Sequence, residues 1–194
     1  MRTKICGITS FEDAMVAIDA GADALGFVFY EKSPRYISPL DAKKIIDKLP
    51  PFVEKVALFV NVDAKTINSF CQESGATLAQ LHFDARAELY EELSIAHIKV
   101  IRAKNKEDIL KYSDEYRLVD AYCEAYGGAG KRINIEWFQD IDCSKIILAG
   151  GLDSTNVNSL KEYNFYGVDV SSGVEISKGV KDSNKVKEFI LNAN

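Results

Sequence analysis

Apolar runs and amphipathic stretches alternate along this chain from end to end, with short loops between them. The stretch Lys4-Ile5-Cys6-Gly7-Ile8-Thr9 reads as a strand that stops at a thiol, followed by a glycine and a helix start. Thr9 and Glu12 have the spacing of a capping box, and Phe11, Ala14, Met15 and Ile18 repeat at helical intervals. Residues 24–29 form the second apolar run. Ser38, Pro39 and Asp41 then open a helix that buries Ile45, Ile46 and Leu49 and stops at Pro50-Pro51. Residues 56–60 come next, followed by a helix capped by Asp63, carrying Ile67, Phe70 and Cys71, and closed by Gly75. Five more strands are predicted over residues 77–81, 98–101, 116–121, 145–149 and 166–170. Helices are expected at about 86–93, 106–112, 135–138 and 154–163, the middle two short. A last helix turns Val186, Phe189 and Ile190 inward behind a cap at Asp182 or Ser183.

Each of the eight predicted strands is followed by a helix, and most strands are continuously apolar, so they predict a parallel sheet covered by helices. The count of eight points to a closed (β/α)8 TIM barrel, one domain over residues 1–194, with an open doubly wound sheet as the other candidate. Such barrels usually take about 250 residues, with a lower end near 200, so this one is lean.

Composition narrows the function classes. An apolar content of 47% and a charged content of 27% are those of an ordinary water-soluble protein. No apolar run approaches the roughly 20 residues that span a bilayer, and no secretory leader is evident, so a cytoplasmic protein without a membrane partner is expected. The net charge of -5, without a long basic run, argues against a nucleic-acid partner. Cys6, Cys71, Cys123 and Cys143 form no C-x-x-C pair, which suggests neither a zinc site nor a disulfide framework. No pattern fixes the oligomeric state, and a monomer is the working expectation.

The glycines then add chemistry. Ala149-Gly150-Gly151 follows the seventh strand, and Ser171-Ser172-Gly173 follows the eighth. In barrels these two loops commonly hold a phosphate, because glycines let backbone amides approach the oxygens and a helix N-terminus adds positive potential. Arg35, after the second strand, could add a charge. Catalytic groups in barrels sit at the C-terminal ends of strands. The polar residues predicted there are Cys6, Asn61, His82, Arg102, Asp120 and Asp169. A thiol and a carboxyl group across one barrel mouth make a base and acid pair, provided the carboxyl pKa is raised and the thiol is helped to ionise. No residue near Cys6 is identified as that help. His82 fits a structural hydrogen-bonding role at least as well as a catalytic one.

Several strings, spread over nearly the whole chain, resemble the phosphoribosylanthranilate isomerase family of tryptophan biosynthesis. They are residues 4–9, Gly26-Phe27-Val28-Phe29 with Ser33-Pro34-Arg35, Gln80-Leu81-His82, Asp120, Ala149-Gly150-Gly151-Leu152, residues 167–175 and Gly179-Val180-Lys181-Asp182. The first string and residues 167–175 with 179–182 are the most specific. The resemblance implies a phosphate-binding barrel in which Cys6 is the general base and Asp120 the general acid. Arg35, His82 and Asp169 would lie beside the substrate, and Gly150, Gly151, Ser171, Ser172 and Gly173 would hold its phosphate. It implies an Amadori rearrangement of N-(5'-phosphoribosyl)anthranilate without metal or organic cofactor. The chain departs from the family pattern at Phe83, where glycine is usual, at Ala129, where threonine is common, and at Glu136, where aspartate is usual. A related phosphoribosyl-barrel isomerase with another substrate would carry a carboxylate base in place of Cys6. A non-catalytic barrel binding a phosphorylated ligand would lack either Cys6 or Asp120.

Overall fold

Eight short strands pair in parallel, each with its sequence neighbours, and the eighth returns to the first to close a barrel. They are β1 (Arg2–Cys6), β2 (Ala24–Val28), β3 (Glu54–Phe59), β4 (Leu78–Leu81), β5 (His97–Ala103), β6 (Arg117–Ala121), β7 (Ile146–Leu148) and β8 (Gly167–Val170). The computed structural model describes residues 1–121 and 132–194. Cys123, the Gly127-Gly128-Ala129-Gly130 string and the departure at Ala129 lie outside the described residues.

Closure makes both faces of the sheet apolar, which is why the strands read as continuous runs rather than alternating ones. The larger core lies between strands and helices, and includes Ile5, Leu25, Phe27, Phe59 and Leu81 from the strands with Ala14, Ile45, Ile67, Phe189 and Ile190 from the helices. Inside the barrel, Ile98, Val100, Leu118 and Ala149 form one cluster. Val28, Leu58 and Val60 form another, which includes Cys6. The interior is therefore packed, and room for chemistry exists only at an end.

Among the described residues, five α-helices cover the barrel: α1 (Phe11–Asp19), α2 (Pro39–Ile46), α3 (Ala64–Ser74), α4 (Ala87–Glu91) and α5 (Ser183–Ala193). The Ser38 hydroxyl caps α2 by accepting from the Asp41 N–H, and Asp63 caps α3 by accepting from the Thr66 N–H at 2.8 Å, as the sequence predicts. Gly75 ends α3 in the left-handed conformation, φ 78°. Asp63→Ala is expected to lower stability by about 1 kcal/mol, measurable as a lower chemical denaturation midpoint. The cap of α1 differs from expectation. Ser10, not Thr9, accepts from the Asp13 N–H, because the Thr9 hydroxyl donates to the Gly179 carbonyl at 2.7 Å. Asp182, rather than Ser183, caps α5, accepting from the N–H groups of Asn184 and Lys185.

The later coverings are reduced to 3-10 turns, Glu107–Leu110, Ile135–Phe138 and Val157–Tyr163, which accounts for the short chain. Arg117, 1% exposed, secures the first of them by donating from its guanidinium to the Ile109 carbonyl at 3.0 Å. Phe83 lies buried in the larger core, so the departure from glycine there adds packing. Glu136 lies exposed at the 3-10 turn Ile135–Phe138. After β8 the chain adds a 3-10 turn, Ser172–Val174, and an antiparallel ribbon of β9 (Glu175–Ser177) and β10 (Val180–Lys181), none of it predicted from the sequence. Among the described residues, no helix is long and apolar enough to cross a membrane.

Candidate active site

Successive side chains of a strand point to opposite faces, so Lys4 and Cys6 of β1 share one face. Lys4 stands in register with Asp169 of β8, and its Nζ lies 2.8 Å from Asp169 Oδ1, both side chains being buried. On the other side, Cys6 is in register with Gly26 of β2. A Cβ at residue 26 would fall 2.7 Å from Cys6 Sγ and 3.0 Å from Lys4 Nζ, so the thiol and the ammonium occupy the space that Gly26 leaves open. Each therefore acts on the other's titration.

Burial dominates the titration of Cys6 and pushes its thiol above the ordinary range; Lys4 and Lys181 oppose that rise, and Asp169 adds to it. Burial also works against the charge on Lys4, but Asp169 and the Cys6 sulfur outweigh it and raise the lysine's pKa. Lys4 is thus a resident cation beside the thiol, and the sequence reading missed it. Its position two residues before Cys6 was the signal, since period-two alternation alone brings the two to one face.

Asp120 of β6 lies in register with Arg102 of β5, and its Oδ2 is 3.7 Å from His82 Nε2. Burial, and then the charge of Asp169, lift the Asp120 carboxyl to about 7; the Ala121 N–H, Arg102 and Lys4 pull the other way. His82 is lowered to about 4 by burial, with Arg102 and Lys4 adding to the effect. Near neutral pH its contact with Asp120 is therefore polar rather than ionic. Asn61, after β3, is exposed, with a left-handed backbone at φ 50°.

Three loops converge above β1. Gly7 has φ 79°, and a Cβ there would sit 2.6 Å from Arg35 Cδ and 3.1 Å from Ser171 Oγ, so glycine is required by both conformation and contact. The Arg35 guanidinium makes a two-pronged pair with Glu175, at 2.8 and 2.7 Å. Lys181 Nζ, fully buried, donates to the carbonyl of Cys6 at 2.6 Å, to that of Ser171 at 3.3 Å and to Glu175 Oε1 at 3.0 Å. Burial resists the Glu175 charge, but Arg35 and Lys181 prevail and hold its carboxyl below the usual range. Glu175 and Lys181 were thus also missed as organisers: the ribbon that presents them has no sequence periodicity long enough to detect.

Gly150 and Gly151, one residue beyond the end of β7, both have positive φ, 92° and 62°. A Cβ on Gly173 would lie 1.9 Å from the Leu152 carbonyl oxygen, so the loops after β7 and β8 touch backbone to backbone. Ser171 Oγ is buried and Ser172 is exposed. The element next after β8 is a 3-10 turn, so backbone amides, rather than the macrodipole of a long helix, are what this loop presents to an anion. Lys4, Arg35 and Lys181 face two carboxylates, Asp169 and Glu175, which leaves this mouth locally positive in an acidic chain. Cys6, Asp120, Arg35, His82, Asp169 and the two glycine loops thus all lie at one end of the barrel.

The family model described as N-(5'-phosphoribosyl)anthranilate isomerase matches residues 3–192. An N-(5'-phosphoribosyl)anthranilate isomerase of Sulfurovum sp. (strain NBC37-1) is 61% identical over 193 residues, which span 100% of this chain and 98% of that one. Among solved structures, the phosphoribosyl anthranilate isomerase of Thermus thermophilus is similar with a TM-score of 0.89 at 32% identity, covering 99% of this chain and 98% of that chain. A phosphoribosyl anthranilate isomerase in complex with reduced 1-(o-carboxyphenylamino)-1-deoxyribulose 5-phosphate is similar with a TM-score of 0.85 at 39% identity, covering 100% and 98%.

Proposed function

The chain belongs to the N-(5'-phosphoribosyl)anthranilate isomerase family and is an isomerase of tryptophan biosynthesis, and from that premise we propose that Asp120 and Cys6 are the acid and base of its Amadori rearrangement. Protonated Asp120 delivers its proton to the furanose ring oxygen as the C1'–O bond breaks. The anilino nitrogen's electron pair forms the iminium. The Cys6 thiolate then removes the C2' proton, and those electrons flow to the iminium to give an enolamine. Tautomerisation yields 1-(2-carboxyphenylamino)-1-deoxyribulose 5-phosphate. The iminium itself acidifies the C2' hydrogen, so the two side chains supply the proton transfers without a metal or organic cofactor.

The observation that carries this reading is a carboxyl group held at about 7 at the same barrel mouth as a buried thiol with a lysine against it. An acid with a pKa near the working pH is both protonated and able to donate. Gly150, Gly151, Ser171, Ser172 and Gly173 present amides and hydroxyls to the substrate phosphate, and Arg35, His82 and Asp169 line the space beside it. Following the anthranilate fluorescence of phosphoribosylanthranilate in wild type, Cys6→Ala and Asp120→Asn tests the assignment. Either variant turning over at nearly the wild-type rate would sink its assigned role.

The phosphate assignment makes its own prediction. Gly173→Ala drives a methyl group into the Leu152 carbonyl and must part the two loops. KM is expected to rise by about tenfold, equivalent to about 1.4 kcal/mol of lost binding. An unchanged KM in a folded variant would remove Gly173 from the phosphate site.

A further inference from the structure

We propose that Lys4 is the counter-cation of the Cys6 thiolate, and that Asp169, by holding the same ammonium from the other side, sets how much of that charge the sulfur receives. The inference rests on the reading of Cys6 as the base, and answers what that reading leaves open: a thiol in a dry, apolar setting must ionise before it can accept a proton from carbon.

Cys6 packs with Val28, Leu58 and Val60, which offer a thiolate nothing, and Tyr30 borders that cluster with a phenol. Around it, β1 contributes Lys4, β8 contributes Asp169, β10 contributes Lys181 and the loop after β2 contributes Arg35; β2 itself contributes Gly26. The four charged groups are not equivalent. Arg35 directs its guanidinium into Glu175. Lys181 Nζ lies on the backbone carbonyl of Cys6, the Ser171 carbonyl and Glu175. Lys4 Nζ shares with the sulfur itself the space opened by Gly26, where a Cβ would lie 3.0 Å from the ammonium and 2.7 Å from the sulfur, and it also lies 2.8 Å from Asp169 Oδ1. The register of β1 with β8 pairs Lys4 with Asp169, so the arrangement belongs to the barrel frame rather than to a mobile loop.

Lys4 is on this account a positioning residue: it acts on substrate through the sulfur. Asp169 opposes it, both by adding a negative charge near the thiol and by competing for the ammonium. Removing the lysine and removing the aspartate must therefore move the thiol in opposite directions, which a purely structural ion pair would not do.

The test is alkylation of the intact folded protein by iodoacetamide across a pH series, with the rate at Cys6 followed by peptide-level mass spectrometry, since only the thiolate reacts. Lys4→Met is expected to move the midpoint up by at least about one pH unit, a roughly tenfold slower reaction at neutral pH. Asp169→Asn is expected to move it down and speed the reaction. Lys4→Met leaves a buried carboxylate without its partner and could fail to fold. Asp169→Asn, and the double variant Lys4→Met/Asp169→Asn, then carry the test; the double variant is expected above wild type, because the lysine acts on the thiol more strongly than the aspartate. An unmoved midpoint in either folded lysine variant, or an upward move in Asp169→Asn, overturns the proposal. Turnover distinguishes the two readings. If Cys6→Ala stays active while the midpoints split as expected, the base assignment fails and the counter-cation stands; if Cys6→Ala is dead and the midpoints do not split, the reverse holds.

Discussion

Cys6→Ala is expected to lower kcat by about 100- to 10,000-fold, the usual span for loss of a general acid or base, with KM little changed. The substitution removes one sulfur atom from a site in which the neighbours are fixed by other bonds. Lys4 keeps Asp169, and Lys181 still reaches the residue 6 carbonyl, since that contact is to the backbone. The mouth and its phosphate loops therefore stay in place, and the loss falls on proton abstraction. Cys6→Ser sharpens the point: the hydroxyl fills most of the space but ionises far less readily, so it should be nearly as inactive as alanine. Steady-state turnover of both variants by anthranilate fluorescence checks this. If serine restored most of the rate, packing rather than basicity would be what residue 6 supplies.

Asp120→Asn is expected to cost kcat a factor in the same range, and to change two pH dependences. In the wild type the acid must be protonated, so kcat/KM should fall as pH rises through about 7, where Asp120 ionises. That alkaline limb should vanish from whatever activity the asparagine variant retains. The stability of the wild type falls over the same pH range. The native carboxyl holds its proton more tightly than the unfolded one, whose pKa is about 4. The contribution this makes to stability is complete below pH 4 and is lost as pH rises through about 7. At pH 8 the wild type carries a buried carboxylate that the variant lacks. A tenfold change in proton affinity is worth about 1.4 kcal/mol, so the rise from about 4 to about 7 sets an upper limit of about 4 kcal/mol on the variant's gain there, less if its amide lacks partners. Denaturation at pH 5 and pH 8 measures it, with the larger gain expected at the higher pH. A variant less stable at both would mean that Asp120 is ionised and bonded in the native state.

Much of this arrangement was legible in the residues. Strand positions were readable because both faces of a closed parallel sheet are apolar, and helix starts because Ser38 and Asp63 have to satisfy free N–H groups in their own chain segment. The same locality explains the misreading at α1. Thr9 and Ser10 are equally good caps, and the choice between them depends on the Gly179 carbonyl, from the far end of the chain, which takes the Thr9 hydroxyl. The helices predicted near residues 106–112 and 154–163 are 3-10 turns, and at the first a buried arginine of β6, Arg117, takes the Ile109 carbonyl, a contact between separate elements that no local pattern encodes. The ribbon Glu175–Ser177 and Val180–Lys181 is too short to have a period at all.

What the sequence determined by itself was the order of strands and helices, the thiol and the carboxyl at strand ends, and the glycines that follow β7 and β8. Each is written in neighbouring residues, through alternation, capping or the freedom of glycine. Only the tertiary structure decided what those groups feel. Closure of β8 onto β1 brings Asp169 beside Lys4, the gap at Gly26 leaves room for that lysine's ammonium next to the Cys6 sulfur, and burial in the barrel mouth lifts Asp120 to about 7. Charge and desolvation act through space, so a pKa depends on contacts between residues as far apart in the chain as Lys4 and Asp169.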